Sequence, residues 1–502
     1  MYDKIVLIFI LAVASFYRFY SIADYMVFLG DEGRDVLIVY KILHGDLTLL
    51  GPTASVGGFF LGPIYYYFMA PFLWLFNYNP VGPAVMVALF GVATVWLIYK
   101  VGKEFFGASV GLIAAGLYAI SPLVVTYSRS SWNPNLMPFF SLLTLYLIYK
   151  AVKRNSVKLF ILSGFLLGIT MQLHYLALFL GVIIFFYILL NRRIKRSFYI
   201  LLGFMAGWSP FLAFEVRHGF TNITSIFNFV FRPIQESTDV NRDFAEKIGD
   251  VSFRLFGRLI TNFPVPEKID SWSKMSINYW HFFAVALGLA SSIFLFYKCV
   301  KVYKAHPSEF FKFSLVAVWL FLGVGLFGFY RKSIYDYYLG IMFPLPFLIV
   351  GIFLKSLWKN KVGKILGVLI LLVLLWLNSL TLPYKASANR QLNQAEEISR
   401  FVISKTNNKP FNFALITGGN SDHAYRYFFT LWGKPPVAID NEKNDPQRKT
   451  VVDQLLIVCE INPCAPLGNS LWEVAGFGRG EIVESWDVSV VKVFKLKHYE
   501  GK

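Results

Sequence analysis

Charge is what this chain has least of. Only 16% of its 502 residues are charged, where a soluble protein carries about 25%. Acids are the scarcer sign, with 30 Asp and Glu against 48 Lys and Arg. Three cysteines are too few for a disulfide-stapled scaffold. Glycine (37) and proline (22) stay below the level of disordered chains, and no low-complexity tract interrupts the sequence. There is no Walker loop, no nucleotide-binding glycine fingerprint after a strand and no paired metal-ligand motif. A nucleotide-sugar or ATP donor used from inside is therefore unsupported.

In place of charge there is hydrophobicity, 56% of residues, with 18% aromatic. Apolar runs recur up to Leu382, each long enough to cross ~30 Å of hydrocarbon. The sequence predicts an α-helical polytopic membrane protein with about eleven spans: 4–23, 80–101, 108–126, 135–151, 159–175, 176–190, 198–215, 277–298, 312–329, 339–355 and 365–382. The first run follows Met1-Tyr2-Asp3-Lys4 and ends without a small-residue cleavage site, which reads as an uncleaved signal anchor.

The net charge of +18 raises nucleic acid as a partner, but its distribution removes it. The loops assigned to one face hold nineteen cations, among them Lys150, Lys153, Arg154 and Lys158, against Asp3, Glu104 and Glu309. Sixteen of the eighteen net charges therefore lie on that face, the positive-inside bias that sets topology. The cation-rich face is cytoplasmic on this reading. The C-terminal segment and the acidic loops are then extracytoplasmic, at the plasma membrane.

The first outer loop, about 24–79, opens with Gly30-Asp31-Glu32-Gly33-Arg34-Asp35. After it, Val36, Leu37, Tyr40 and Leu43 recur at helical spacing until Gly45, an amphipathic helix expected to lie on the outer leaflet. The stretch 63–76 is apolar and aromatic. Counting it as a span would invert the charge bias downstream, so it reads as a juxtamembrane or re-entrant helix. Asp31 and Glu32 are the candidate catalytic pair, because a carboxylate at the mouth of a lipid-walled cavity can take a proton from an attacking hydroxyl. The competing structural role is Asp31 as helix N-cap with Glu32 in the first turn, and capping and catalysis are compatible.

Other polar side chains gather at the outer ends of the spans: Arg129, Asn133, His174, Tyr175, Glu215, Arg217, His218, Arg331, Lys332 and Tyr335. With Arg34 and Asp35 they are the candidate substrate-binding groups, since cations here can hold a lipid-linked phosphate through charge-assisted bonds. Each alone also suits an interfacial residue meeting headgroups, and a lone His174 suits a hydrogen-bonded interior histidine. Arg18, near the end of the first span, reads as a snorkelling side chain. A long outer loop, 216–275, carries Arg232, Arg242, Arg254, Arg258 and Lys268 among interspersed acids.

From Pro383 the composition turns polar. Gln391–Lys405 and Asp422–Leu431 are helix candidates, and Phe411–Thr417, Leu455–Cys459 and Val488–Lys497 are strand candidates. The sequence thus divides into a membrane domain, 1–382, and a small α/β domain, 383–502. Cys459 and Cys464 are close enough to bridge, and an unpaired structural role fits equally well.

Three features carry a resemblance to a known family: the outer-loop carboxylates, the turn Lys103-Glu104-Phe105-Phe106-Gly107, and Tyr127-Ser128-Arg129 before Asn133-Pro134. Over roughly residues 1–220 they resemble the GT-C superfamily, in particular the protein O-mannosyltransferase and lipid A aminoarabinose transferase group. The resemblance implies a multi-span bundle with juxtamembrane helices in the first outer loop. It implies sugar transfer, usually with inversion, from a polyprenyl-phosphate sugar to a protein, lipid or glycan acceptor, with Asp31 as the base. The lipid-linked donor is a substrate, so no cofactor and no metal is expected. Two departures stand out. Phe60-Leu61-Gly62-Pro63 occupies the place of a Lys-Pro-Pro-Leu turn, so other cations must hold the phosphate, with Arg129, Arg217 and Arg331 the candidates. Asn133 stands where relatives carry an Asp, which puts a second acid and a shared metal in doubt. The alternative from another class is a lipid-glycan flippase, but the sequence shows neither an internal repeat nor mid-membrane charges.

Overall fold

The computed structural model describes residues 2–54, 57–231 and 243–501. Arg232 and Arg242 of the long outer loop lie outside the described residues. The chain divides into two compact units. One comprises Met1–Tyr20, Thr48–Phe68 and Ala84–Ser387; the other comprises Ser21–Leu47, Met69–Pro83 and Ala388–Lys502.

The first unit is helical. Among the described residues five helices are long and apolar enough to cross a membrane: Val81–Phe106, Asn133–Arg154, Lys274–Tyr303, Pro307–Gly328 and Lys361–Ser379. Two bent helix pairs are apolar enough when taken together, Ile194–Gly207 with Ser209–Arg217 at 71° and Asp336–Met342 with Pro344–Leu357 at 59°, each a broken span or a re-entrant loop. Of the eleven expected spans, five meet that length and composition among the described residues, or seven if each bent pair is one span. The remaining four predicted spans are helices that are shorter, broken or more charged: Tyr2–Phe19, Ala108–Ile120 followed by Pro122–Tyr127, Val157–Leu173 and Ala177–Leu190. Proline explains the breaks. Pro122, Pro210 and Pro344 each stand at the start of the second helix of a pair, where the missing N–H costs nothing but a preceding turn cannot continue through the ring.

Small residues set the tightest packing in this unit. A Cβ at Gly203 would lie 1.9 Å from the Ile161 carbonyl oxygen, and one at Gly164 would lie 2.0 Å from that of Ile200. Helices Val157–Leu173 and Ser197–Gly207 therefore meet backbone to backbone, the small-residue packing typical of membrane helices. Arg18 does not snorkel. It is fully buried, and its Nη1 donates to the carbonyls of Ala14 at 3.1 Å and Ala119 at 3.0 Å. Helix Ile64–Leu75 has 12 residues, about 18 Å of rise, short of the ~30 Å of hydrocarbon.

The second unit is built on a four-stranded sheet in the order β1-β2-β4-β3, with β1 Asn412–Ile416, β2 Gln454–Cys459, β3 Gly480–Val488 and β4 Val491–His498. β1 and β2 are parallel neighbours joined through the crossover helix His423–Leu431, while β4 runs antiparallel to both β2 and β3. Ala414, Ile416, Leu455, Ile457, Phe494 and Leu496 fill its core. β3 is absent from the sequence expectation. It is largely exposed, and its acids Glu481, Glu484 and Asp487 sit opposite Lys497, Lys495 and Lys492 of β4, cross-strand pairs of opposite charge that read in sequence as a polar loop. Cys459 and Cys464 are bonded to each other.

The first-loop helix, Gly30–Leu43, belongs to this second unit. Its buried side is Glu32, Asp35, Val36, Val39 and Ile42, rather than the Val36, Leu37, Tyr40 and Leu43 stripe expected to lie on lipid. The reason is a close approach to the crossover helix. A Cβ at Gly33 would lie 2.3 Å from the Ala424 amide nitrogen, and one at Gly30 would lie 2.1 Å from the Ser421 hydroxyl. Glycine at both positions lets the two helices touch along their backbones.

Candidate active site

The acidic turn is the first turn of the first-loop helix. Its N-cap is Leu29, which has no side-chain oxygen, so the orphan amides at this helix end need other partners. Glu32, three residues on, supplies one: its Oε2 accepts the Leu29 N–H at 3.1 Å, the reciprocal half of a capping box. The capping role falls to Glu32, not to Asp31. Glu32 is also buried, 6% exposed. Burial pushes its carboxyl from 4.5 up to about 7; the Leu29 amide and its own amide work against the rise, and the Asp31 and Asp35 charges add to it.

Asp31 is placed differently. Its side chain is 56% exposed, and Oδ1 accepts Arg34 Nη1 at 2.9 Å. Arg34 also donates to Asp35 Oδ1 from Nε at 3.0 Å and Nη2 at 2.8 Å, so one guanidinium bridges both acids while Asp35 is wholly buried. Among the described residues Asp31 Oδ2 accepts no hydrogen bond. One side of the carboxylate is thus fixed and the other is open. His423, at the start of the crossover helix, shares Nδ1 with the Ser421 hydroxyl at 2.8 Å. Its burial lowers its pKa from 6.5, with the Asp31 and Asp422 charges raising and the Arg34 and Arg426 charges lowering it.

The other candidates lie in the helical unit and do not form one constellation. Arg129 is buried and donates to the carbonyls of Tyr17 at 3.2 Å and Tyr20 at 2.6 Å, at the end of the first helix. Asn133 donates to the Leu173 carbonyl at 2.6 Å. His174 is an interior histidine: it is buried, its Nδ1 accepts the Leu176 N–H at 3.3 Å, and it stacks on Tyr175. Tyr175 shares a proton with Tyr330, oxygen to oxygen 2.6 Å, and Tyr335 stacks on Tyr337. These tyrosines form an aromatic cluster. Glu215 is fully buried and accepts from Asn222 Nδ2 at 2.8 Å and the Ile223 N–H at 2.9 Å, holding the first turn of Thr221–Phe231. Arg217, His218 and Arg331 are exposed, and His218 stacks on Phe214.

Two polar groups went unnoticed as sites. In the helical unit Asp336 accepts from Arg254 Nη1 at 2.7 Å and Arg258 Nη1 at 2.9 Å, and Arg254 Nε also reaches Asp250 at 2.9 Å. A π-helical turn over Arg254–Arg258 carries both arginines, a device frequent at functional sites. In the sheet unit Glu460, just past β2, accepts from Thr417 Oγ1 at 2.8 Å, Tyr425 OH at 2.8 Å and Asn420 Nδ2 at 3.2 Å. Its position outside the carboxyl ends of parallel strands was the available signal. The helical unit also holds a cavity of about 490 Å³ lined by Leu167, Met171, Phe185, Phe204, Trp208 and Ile223 among others, none ionisable. It can take a hydrocarbon chain but no reacting group. Among the described residues no three His, Cys, Asp or Glu side chains converge as a metal site would need.

Comparison with known proteins agrees on the fold. Residues 61–214 match the dolichyl-phosphate-mannose-protein mannosyltransferase family. Two putative mannosyltransferases of Bacillus subtilis (strain 168) are similar: YkcB, 29% identical over 24% of this chain and 17% of its own, and YycA, 25% identical over 29% of this chain and 23% of its own. The chain thus aligns with less than a quarter of the length of these relatives. ArnT from Cupriavidus metallidurans, solved bound to undecaprenyl phosphate, superposes with a TM-score of 0.60 at 12% identity, covering 97% of both chains. The Archaeoglobus fulgidus oligosaccharyltransferase AglB, solved with an inhibitory peptide and a dolichol-phosphate, gives 0.54 at 13% identity, covering 91% of this chain and 69% of its own. The fold is that of ArnT and AglB, and the described residues include helices long and apolar enough to cross a membrane.

Proposed function

We propose that this protein transfers a sugar from a polyprenyl-phosphate donor to an acceptor hydroxyl on the extracytoplasmic face of the plasma membrane, with Asp31 as general base. The acceptor is a protein, lipid or glycan. The observation that carries the reading is the half-engaged carboxylate of Asp31: Arg34 orients it through Oδ1, and Oδ2 stays open to a substrate proton. Glu32 then orients rather than reacts, because it is buried and holds the Leu29 amide.

In the transfer step the acceptor oxygen attacks the anomeric carbon as its proton passes to Asp31. The bond from that carbon to the phosphate oxygen breaks, and the polyprenyl phosphate departs with the electron pair. Attack opposite the leaving group inverts the anomeric configuration. Phosphate is already a good leaving group, so the step requires no metal; exposed Arg217 and Arg331 are the cations proposed to neutralise it. Arg129, tied to two carbonyls, is a weaker candidate than its sequence position suggested. The ligands of ArnT and AglB and the apolar cavity of the helical unit support a lipid-linked donor.

The test is incubation of the purified protein with a panel of radiolabelled polyprenyl-phosphate sugars and membranes, wild type beside Asp31→Asn. Transfer by wild type and a loss of at least about a hundredfold in the variant, within the range a general base contributes, is the expected result. Full turnover by a folded Asp31→Asn protein would remove the base from the mechanism.

A further inference from the structure

We propose that Asn420 and Glu460 are positioning residues for Asp31, acting through the backbone of the first-loop helix. The inference rests on the reading of Asp31 as the base. The N–H groups at a helix start have no partner within the helix, and here three in succession are taken by side chains. Phe28 N–H donates to Gln391 Oε1 at 3.1 Å, Leu29 N–H to Glu32 Oε2 at 3.1 Å and Gly30 N–H to Asn420 Oδ1 at 2.8 Å. Gly30 directly precedes Asp31, so the bond to its N–H fixes the Leu29–Gly30 peptide plane, one residue ahead of the acid.

The Asn420 amide can face only one way. Its Nδ2 lies 3.2 Å from both oxygens of Glu460, and a carboxylate accepts hydrogen bonds without donating any. Oδ1 is therefore left for Gly30 and for the Ser421 N–H at 2.9 Å. Glu460 is itself held by Thr417 and Tyr425, residues after β1 and in the crossover helix. The chain of contacts runs from the sheet, through one carboxylate and one amide, to the residue before Asp31. Gly30 and Gly33, both without room for a Cβ against Ser421 and Ala424, press the same helix onto the same support. A cavity of about 210 Å³ beside Leu29, Gln394, Asn420 and Glu460 leaves space into which the amide can turn once Glu460 no longer holds it.

The experiment uses the full chain in nanodiscs, with radiolabelled undecaprenyl-phosphate mannose as donor. Asn420→Ala lowers kcat about tenfold to a hundredfold, the penalty for a reacting group displaced by about an ångström, while KM for the donor changes less than about twofold. Asn420→Asp sets a second carboxylate against Glu460 and Glu460→Gln lets the amide turn, so each single change lowers kcat. The two together restore complementary donor and acceptor and recover most of the loss, while the folded fraction stays constant across the set, which separates positioning from loss of the fold. Wild-type kcat in Asn420→Ala, beside an inactive Asp31→Asn, overturns the positioning role and leaves the base intact. An activity loss that only follows the folded fraction, with no recovery in the double variant, overturns it as well. Wild-type turnover by Asp31→Asn instead removes the base reading itself.

Discussion

Replacing Glu32 by glutamine separates its capping contact from its charge. Gln keeps an oxygen for the Leu29 N–H, a substitution that the capping box tolerates, and it cannot ionise. In the folded protein burial raises the Glu32 carboxyl from 4.5 to about 7. A raised acid binds its proton more tightly when folded than when unfolded, so stability is greatest below 4.5 and falls as pH climbs toward 7. At 1.36 kcal/mol per pKa unit, ionised Glu32 costs about 3 kcal/mol at pH 8, and the change between pH 5 and pH 8 is about 2–3 kcal/mol. Hydrogen exchange of the Leu29–Asp35 amides reads the local opening free energy of this turn. Wild-type protection should fall across that interval by about two decades relative to Glu32→Gln, and the two proteins should converge near pH 4. Parallel pH profiles, or wild-type protection that rises with pH, would refute a buried carboxyl that resists ionisation.

Two further substitutions probe the packing. Gly33→Ala places a methyl 2.3 Å from the Ala424 amide nitrogen; backbone cannot yield as a flexible side chain would, so the first-loop helix should detach, with a loss of about 1–3 kcal/mol seen as faster proteolysis around residues 44–48. Asp336→Ala leaves Arg254 and Arg258 without their shared carboxylate. Each of the three side chains keeps 11–14% exposure, so the cost should fall somewhat below the ~3–5 kcal/mol of stranding a buried charge, and the melting temperature in detergent should drop while the circular dichroism stays helical.

The helical unit was legible because lipid demands long apolar helices, and the stretch 63–76, kept out of the span count on charge, forms a helix of only 12 residues. Helix breaks were less legible where proline stands inside an apolar run: hydropathy sees Leu117 to Val125 as continuous, while Pro122 restarts the backbone. Asp31 and Glu32 were visible as acids where acids are rare. Their division of labour was not, because the N-cap is Leu29 and carries no capping signature. The partners of the turn were hidden for another reason. Gly30 and Asn420 are 390 positions apart, and neither residue type marks such a pairing. The apolar stripe of the first-loop helix was assigned to lipid because no local pattern separates a helix that meets a membrane from one that meets another helix.

That separation has a consequence for how the molecule is made. The ribosome delivers the acid-bearing turn before the helical bundle that follows it, and its seat leaves the exit tunnel only after residues 84–387 have been made. Until then the two glycines lack the surface they pack on, and the nascent chain carries Asp31 on an unanchored segment. Premature termination anywhere before the crossover helix would leave the acid-bearing turn without the residues that hold it, Asn420 at the Gly30 amide and Ala424 against Gly33.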